Sequence, residues 1–323
     1  MKRVVVGTLL SLGGLLGVTA ASAQTEWPAK TIKFVVPYAP GGYTDSVGRI
    51  TARYVEKALG QTVIVENRAG GGGIVGTDLV SKSPGDGYTF CVCSVGAVSI
   101  APVAQSVQYD PINGFKPVSL VSTIPQTVIV KPSLPVNSMQ ELVAYAKANP
   151  GKLNYGSSGA GGLMYFSVAL FEARTGTKMT HVPFKGGAPA TAAVVSGEVD
   201  FAFTNMTDAL PQMEANTVRG LAVTSTERSP FMPKLPTIAE VMLPGYSAES
   251  WNGIMAPPGT PDAIILKLSD VLKKMAADPD VQKSMAVAGA STVFTTPEEY
   301  KARIGQEVEQ WKGLLKEIAD KKT

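Results

Sequence analysis

Short apolar runs alternate along residues 31–124 with longer stretches whose apolar residues recur every three or four positions. The runs 31–36, 62–66 and 88–93 predict strands. Residues 45–59 and 74–81 predict helices, the first with Val47, Ile50 and Val55 on one face. Strands and helices that alternate in this way predict an α/β fold with a parallel sheet and right-handed crossovers.

The alternation continues to the end of the chain. Helices are predicted at 138–148, 163–174, 188–196, 262–277, 280–288 and 300–316, with strands at 153–155, 180–184, 199–203, 218–224 and 251–256. Two strand pieces, 118–121 and 127–130, are separated by a break at Ile124 and Pro125. We interpret the break as a crossing between lobes. Lobe 1 then comprises residues 24–124 and 250–323, lobe 2 comprises 125–249, and a ligand cleft lies between them.

Three predicted strands end in a glycine-containing turn that leads into a helix. These turns are 37–42, 156–162 and 185–187. Glycine permits positive φ and lets a ligand approach the backbone closely. The start of a helix leaves N–H groups unpaired and carries a partial positive charge. Each turn is therefore a candidate site for a small anion, and these features alone suit a phosphate as well as a carboxylate.

The first 23 residues predict a secretory signal peptide. Lys2 and Arg3 precede an apolar run of 15 residues, 4–18, and the cleavage pattern Ala-Ser-Ala occupies 21–23. A membrane anchor is the less favoured alternative, because a bilayer needs ~20 apolar residues. After cleavage before Gln24, 27 basic and 26 acidic residues remain, and this balance gives no indication of nucleic-acid binding. We expect a soluble protein outside the cytoplasm.

Two cysteines occupy one predicted strand. Cys91 and Cys93 are two positions apart, which in an extended strand separates their Cα atoms by ~6.6 Å. That distance is near the upper limit for a disulfide. We expect two buried free thiols, with a bridge as the alternative in an oxidising compartment.

No cofactor or metal site is predicted. Gly71-x-Gly73-x-x-Gly76 matches the dinucleotide pattern, but the acidic residue expected about 20 positions later is missing. His181 is the only histidine and lies within a predicted strand, so we interpret it as structural and expect no zinc site. A secreted hydrolase that uses His181 is the less favoured alternative, because no nucleophile-elbow motif is present.

Six segments in the expected order resemble the Bug proteins, the extracytoplasmic solute receptors of tripartite tricarboxylate transporters. They are PYAPGGYTD at 37–45, VENRAGGGG at 65–73, DGYT at 86–89, THVPFKGGAPA at 180–190, AVTS at 222–225 and APPGTP at 256–261. The resemblance implies a two-lobed, type II-like periplasmic binding protein in which each lobe is a mainly parallel sheet flanked by helices. It also implies a monomeric, non-catalytic receptor that delivers a small organic carboxylate to membrane permease subunits. A receptor that signals to a kinase is the alternative.

The resemblance also implies which residues bind the carboxylate, largely through backbone N–H groups. From lobe 1 these are Tyr38, Gly41, Gly42, Tyr43, Thr44, Asp45, Ser94, Val95 and Gly96. From lobe 2 they are Ser157, Ser158, Gly159, Ala160, Gly161, Gly162, Tyr165, Lys185, Gly186, Gly187, Ala188 and Asn205. In such a site Asp45 must itself accept backbone N–H groups, because its charge would otherwise repel the ligand.

Several positions depart from the family pattern. Tyr43 replaces a common glycine, Tyr165 a frequent histidine and Thr204 a frequent aspartate. These changes remove polar groups and add aromatic ones. We therefore hypothesise that the ligand is a carboxylate with an apolar or aromatic body rather than citrate or an acidic amino acid.

Overall fold

The computed structural model describes residues 27–320. The expected signal peptide, residues 1–23, lies outside this range. Among the helices of residues 27–320, none combines the length and the apolar character needed to cross a bilayer.

Strands and helices alternate along most of the described chain. In chain order the elements are β1 (Ile32–Val36), α1 (Tyr43–Leu59), β2 (Val63–Asn67), α2 (Ile74–Ser81), β3 (Thr89–Ser94), α3 (Ala101–Ala104), β4 (Lys116–Val130), α4 (Met139–Ala148), β5 (Asn154–Ser157), α5 (Leu163–Thr175), β6 (Thr180–Pro183), α6 (Gly187–Ser196), β7 (Phe201–Asn205), α7 (Met206–Glu214), β8 (Arg219–Val223), α8 (Ile238–Val241), β9 (Glu249–Ala256), α9 (Asp262–Ala277), α10 (Pro279–Val287), β10 (Ser291–Thr292) and α11 (Pro297–Asp320).

The strands form a mixed sheet in the order β2-β1-β3-β9-β4-β7-β5-β6. β1 is parallel to β2 and β3, and β5 is parallel to β6 and β7. β9 and β4 are antiparallel to each other and to their other neighbours in this order, β3 and β7. The α/β fold is confirmed: three parallel strands lie at each end of the order, β2-β1-β3 and β7-β5-β6, and the long strands β9 and β4 between them make the whole sheet mixed.

β4 is one continuous strand, not the two pieces that the sequence suggested. Residues 116–125 pair with β9, and residues 126–130 pair with β7 and β8. Pro125 lacks an N–H donor, but its fixed φ is compatible with extended backbone. It therefore lies where the strand exchanges partners and does not end the strand.

The apolar periodicity of the helices corresponds to burial against the sheet. Val47 and Val55 of α1 are fully buried and pack in one cluster with Phe34 and Phe90 of β1 and β3. α1 ends at Gly60, which adopts the left-handed conformation with φ 66°. This packing fixes the start of α1 at the end of β1.

Two helical regions gave no clear sequence signal. Residues 95–104 form a helical segment with a π-helical stretch at Gly96–Ile100, directly after β3. α7 begins directly after β7 and contains Pro211, a residue that argues against a helix. Both segments contribute to the site described below.

Cys91 and Cys93 form a disulfide within β3, so the expectation of two free thiols is wrong. Their Cα atoms are 5.2 Å apart instead of ~6.6 Å, because the backbone between them is less extended than in an ideal strand. This separation lies within the usual range for disulfides. Both residues are fully buried.

Candidate functional site

A cavity lies where five helical segments begin. The volume of this cavity is about 30 Å³. The helices are α1, the segment 95–104, α5, α6 and α7. The lining residues are Tyr38, Ala39, Gly42, Tyr43, Thr44, Asp45, Ser94, Gly96, Gln126, Ser158, Leu163, Met164, Gly187, Asn205 and Ser250.

The helices around the cavity begin without side-chain caps. Gly42, Gly162 and Gly186 are the N-cap residues of α1, α5 and α6, and the Asn205 side chain makes no capping hydrogen bond to α7. Three helices that begin elsewhere are capped by side chains, those of Ser138, Thr237 and Asp278. First-turn N–H groups around the cavity are thus left for an anion, which the helix dipoles also favour.

Two glycine turns meet backbone to backbone beside the cavity. A Cβ added to Gly72 would lie 2.4 Å from the Gly162 nitrogen, and one added to Gly159 would lie 2.7 Å from the Gly72 nitrogen. Side chains larger than hydrogen would therefore keep the turns apart. A backbone hydrogen bond also bridges the cleft, because the Ala39 N–H donates to the Lys185 carbonyl at 2.9 Å.

Tyr38 braces one wall of the cavity. Its hydroxyl donates to the Gly72 carbonyl at 2.7 Å and lies 2.8 Å from Ser94 Oγ. Burial raises the pKa of Tyr38 to about 12, with a smaller opposing effect from Ser94. The phenol therefore remains a neutral hydrogen-bonding group at physiological pH.

Asp45 is buried in the first turn of α1 and is fully engaged within the protein. Its Oδ2 accepts hydrogen bonds from the Gly41 N–H at 2.9 Å and from Arg49 Nε at 3.0 Å, and its Oδ1 accepts one from Asn67 Nδ2 at 2.9 Å. Burial alone would raise its pKa, but these three donors and the Arg49 charge outweigh burial and lower the pKa. As the sequence suggested, this carboxylate accepts a backbone N–H group, and its charge is balanced locally.

The two tyrosines behind the aromatic-ligand hypothesis do not provide an aromatic wall. Tyr43 lines the cavity, but its ring packs in the apolar cluster below α1 and its hydroxyl donates to Ser122 Oγ at 3.0 Å. Tyr165 lies outside the cavity, in a side pocket where its ring is 4.7 Å from that of His181. Because successive helical residues turn by about 100°, Leu163 and Met164 face the cavity while Tyr165 faces away.

The cavity lining contains about half of the site residues expected from the sequence. Those within it are Tyr38, Gly42, Tyr43, Thr44, Asp45, Ser94, Gly96, Ser158, Gly187 and Asn205. The expected residues outside the lining are Gly41, Val95, Ser157, Gly159, Ala160, Gly161, Gly162, Tyr165, Lys185, Gly186 and Ala188. Most of the second group belong to the turns that support the cavity and do not line it.

Gln126 and Ser250 line the cavity and were missed. Both lie next to the point where β4 exchanges partners, and their strand registers place Gln126 opposite Asn205 and Ser250 opposite Ile124. Gln126 is fully buried and its Oε1 accepts a hydrogen bond from Ser167 Oγ, whereas its Nε2 has no hydrogen-bond partner within the described residues. Gln126 is the only amide side chain in β4 and directly follows Pro125, which was the available signal in the sequence.

Ser157 and His181 form a close pair outside the cavity lining. Ser157 Oγ is 2.6 Å from His181 Nε2 and also accepts the Gly159 N–H at 3.1 Å. Ser157 is fully buried, and burial lowers the pKa of His181. The hydroxyl therefore supports the glycine turn, and its burial prevents it from acting as an accessible nucleophile.

The residues that the structure describes include no group of three or more His, Cys, Asp or Glu side chains arranged to hold a metal ion. The cavity lining likewise includes no lysine, arginine or histidine. Binding of an anion there would depend on neutral donors and helix starts.

Known proteins are similar to this chain in both sequence and fold. A model of the tripartite tricarboxylate transporter family receptor, TctC, matches residues 47–319. Protein BugT of Bordetella pertussis (strain Tohama I) is 34% identical over 311 residues, 94% of each chain.

Two solved structures are similar over nearly the whole chain. "R. palustris Rpa4515 with adipate" has a TM-score of 0.88 and 33% identity, and the match covers 91% of this chain and 99% of the other. "MatC (Rpa3494) from Rhodopseudomonas palustris with bound malate" has a TM-score of 0.86 and 29% identity, and covers 89% and 99%. The chain belongs to the tripartite tricarboxylate transporter receptor family, with the α/β fold of periplasmic binding proteins.

Proposed function

We propose that this protein is a monomeric periplasmic receptor that encloses a small organic carboxylate and delivers it to the permease subunits of a tripartite tricarboxylate transporter. The observation that carries the proposal is the convergence of uncapped helix starts on one small cavity. Such starts stabilise an anion through N–H groups and dipoles, without a basic side chain. Adipate and malate, named for two similar structures, belong to this chemical class.

We assign the two walls of the cleft to the lobes suggested by the sequence. Residues 27–124 and 250–320 form the described part of lobe 1, and residues 125–249 form lobe 2. The change in partners of β4 between Pro125 and Gln126 supports the boundary. α1 then belongs to lobe 1, and α5, α6 and α7 belong to lobe 2. A carboxylate shared by helix starts of both lobes binds the closed form more tightly and so favours closure.

The apolar part of the cavity favours a ligand with a short aliphatic body. Leu163 and Met164 supply apolar contacts, whereas the rings of Tyr43 and Tyr165 are directed to other surroundings. Gln126 and Asn205 provide polar groups on the neighbouring wall. Of the apolar and aromatic carboxylates that the departures from the family pattern suggested, we therefore place the aliphatic ones first.

Replacement of Gly42 tests the carboxylate site. A Cβ at Gly42 would lie 3.3 Å from Asp208 Oδ1 and 3.5 Å from the Ala188 nitrogen, so the larger Gly42→Val side chain would enter the space between α1 and α6. We expect the variant to fold but to lose adipate and malate binding by at least about 100-fold, which equals ~2.7 kcal/mol. Isothermal titration calorimetry measures the affinities, and benzoate tests the aromatic alternative.

Gly313→Val is the matched control, because a Cβ at Gly313 of α11 meets nothing within 4 Å. It should bind as the wild type does. Normal binding by Gly42→Val would show that this helix start does not hold the anion. Tight binding of benzoate without binding of either aliphatic acid would restore the aromatic hypothesis.

A further inference from the structure

Asp208 is a buried carboxyl group at the junction of the two lobes. It lies in the first turn of α7 and is 7% exposed. Its Oδ2 has one long contact, 3.5 Å from Thr204 Oγ1, and its Oδ1 has no hydrogen-bond partner among residues 27–320. No sequence motif indicated this residue, and the uptake of carboxylates does not by itself explain it.

The carboxyl group touches the helix starts proposed to hold the ligand. A Cβ added to Gly42 would lie 3.3 Å from Asp208 Oδ1, and a Cβ added to Gly187 would lie 2.2 Å from Asp208 Oδ2. The two glycine backbones therefore lie close to this carboxyl group. Gly42 and Gly187 both line the cavity. A ligand carboxylate held by the first turns of α1 and α6 would therefore lie within about 4–6 Å of Asp208, the range in which one charge shifts the pKa of another.

In the described part of the chain, Asp208 has no cationic side chain as a partner. The elements packed against α7 include α1, α6, β4, β7 and β8, and the turn at residues 288–289 contacts Met206 and Thr207; residues 284–294 contain no titratable side chain. Titratable side chains are absent from α6, from β7 and from residues 126–130 of β4. On α1, Asp45 and Arg49 are paired with each other. On β8, Arg219 donates to the Leu134 and Val136 carbonyls. Lys185 lies just before α6. Within residues 27–320 Asp208 forms an ion pair with none of them.

We propose that Asp208 couples carboxylate binding to protonation, so that the closed receptor takes up one proton on Asp208 when it encloses the ligand anion. The proposal rests on the carboxylate receptor function proposed above. Two carboxylates at this distance in a site shielded from water cannot both remain ionised at low cost, so one of them holds a proton. Burial already raises the pKa of Asp208 to about 7, against a small opposing effect from Thr204.

Closure couples carboxylate binding to protonation because Gly42 and Asp208 belong to different lobes. When the lobes separate, water can reach Asp208. Its pKa then returns towards that of an ordinary aspartate, about 3.9. The open receptor is then ionised at neutral pH, whereas the closed, loaded receptor is neutral at this residue. A neutral Asp208 can also donate an O–H hydrogen bond, which an ionised one cannot.

Titration calorimetry with adipate and malate tests the proposal between pH 6.5 and 8.5, where both ligands are fully ionised. Titrations in buffers of different ionisation enthalpy give the number of protons taken up. We expect the wild type to take up between about one half and one proton at pH 7.5 and to lose affinity by up to about tenfold per pH unit above 7. Asp208→Asn, which is neutral and of similar shape, should bind both acids without proton uptake and with little dependence on pH.

Asp262→Asn is the control, because the Asp262 side chain is 84% exposed on lobe 1; it should keep the wild-type proton uptake. Zero uptake by the wild type, or the same uptake by Asp208→Asn, would overturn the proposal even if both proteins bind adipate well. If the wild type binds neither acid, the receptor function itself fails and the coupling fails with it. The wild-type proton count decides the question even if Asp208→Asn does not fold.

Discussion

At the scale of single residues, two carboxyl groups near one anion site differ in their surroundings. Asp45 has Arg49, Asn67 and a backbone N–H as partners, and these hold its pKa below the ordinary value despite burial. Asp208 has only Thr204, and burial raises its pKa. Desolvation acts on both carboxyl groups, and the donors that outweigh it at Asp45 have no counterpart of similar strength at Asp208.

Asp45→Asn should destabilise the protein in a pH-dependent way. Because the pKa of Asp45 is lower in the folded protein, its ionised form stabilises the fold above the unfolded pKa of about 3.9, and this contribution is lost as the pH falls through the folded pKa. We expect the variant to lose about 1–3 kcal/mol of unfolding free energy at pH 7. The loss should shrink towards zero at pH values below the folded pKa.

Urea unfolding of both proteins at pH 7 and at acidic pH measures this difference. Asp262→Asn again serves as the control, since its exposed pair with Lys116 should contribute about 0–1 kcal/mol. A difference between wild type and Asp45→Asn that is the same at all pH values would show that the charge of Asp45 does not stabilise the fold.

At the scale of elements, the site consists of helix starts brought together by glycine turns. A capped helix start satisfies its own N–H groups, as Ser138 does for Glu141 of α4 at 3.1 Å. The starts of α1, α5 and α6 have glycine in that position and no such partner. Glycine also permits the direct contact between the Gly72 and Gly159–Gly162 backbones, so the same residue type leaves donors available and allows closure.

Gly72→Ala should impair closure more than it impairs folding. The added methyl group would lie 2.4 Å from the Gly162 nitrogen across the cleft, and alanine at φ 71° costs about 1–2 kcal/mol of backbone strain. We expect adipate affinity to fall by about tenfold or more, while circular dichroism shows a folded protein.

Gly60→Ala separates the backbone strain of alanine at positive φ from the contact between the two turns. Gly60 has a similar φ of 66°, but a Cβ there meets nothing within 4 Å. It should lose comparable thermal stability yet bind adipate normally. Equal binding by both variants would mean that the contact between the two turns is not needed for the bound state.

At the scale of the whole molecule, two strands connect the parts of the sheet. β4 pairs with β9 along residues 116–125 and with β7 and β8 beyond them, and the chain returns through β9. The cavity lies beside this connection, with Gln126 and Ser250 next to the exchange point. In two-lobed binding proteins, connections of this kind act as a hinge between the lobes.

Small-angle X-ray scattering should detect this rotation. Addition of saturating adipate should decrease the radius of gyration of the wild type, because the ligand favours the closed form. Gly42→Val should show no change under the same conditions. A wild-type radius that stays constant, despite binding shown by calorimetry, would mean that the receptor does not open widely.

The sequence alone predicts most helices and strands of this protein, because apolar periodicity reflects burial against a sheet. It also predicts the glycine turns and, through motifs such as PYAPGGYTD, the family. Weaker signals failed where tertiary context decided the outcome. Pro125 suggested a break within what is a continuous strand, Pro211 argued against α7, and the spacing of Cys91 and Cys93 suggested free thiols.

The composition of the site was decided by the tertiary structure. Tyr43 and Tyr165 are aromatic in sequence, but packing directs one ring into the core and the other to a side pocket. Gln126, Ser250 and Asp208 approach the site only because β4 exchanges partners and α7 packs against both α1 and α6. Local periodicity determines which residues form each element, whereas contacts between residues distant in sequence determine which side chains meet the ligand.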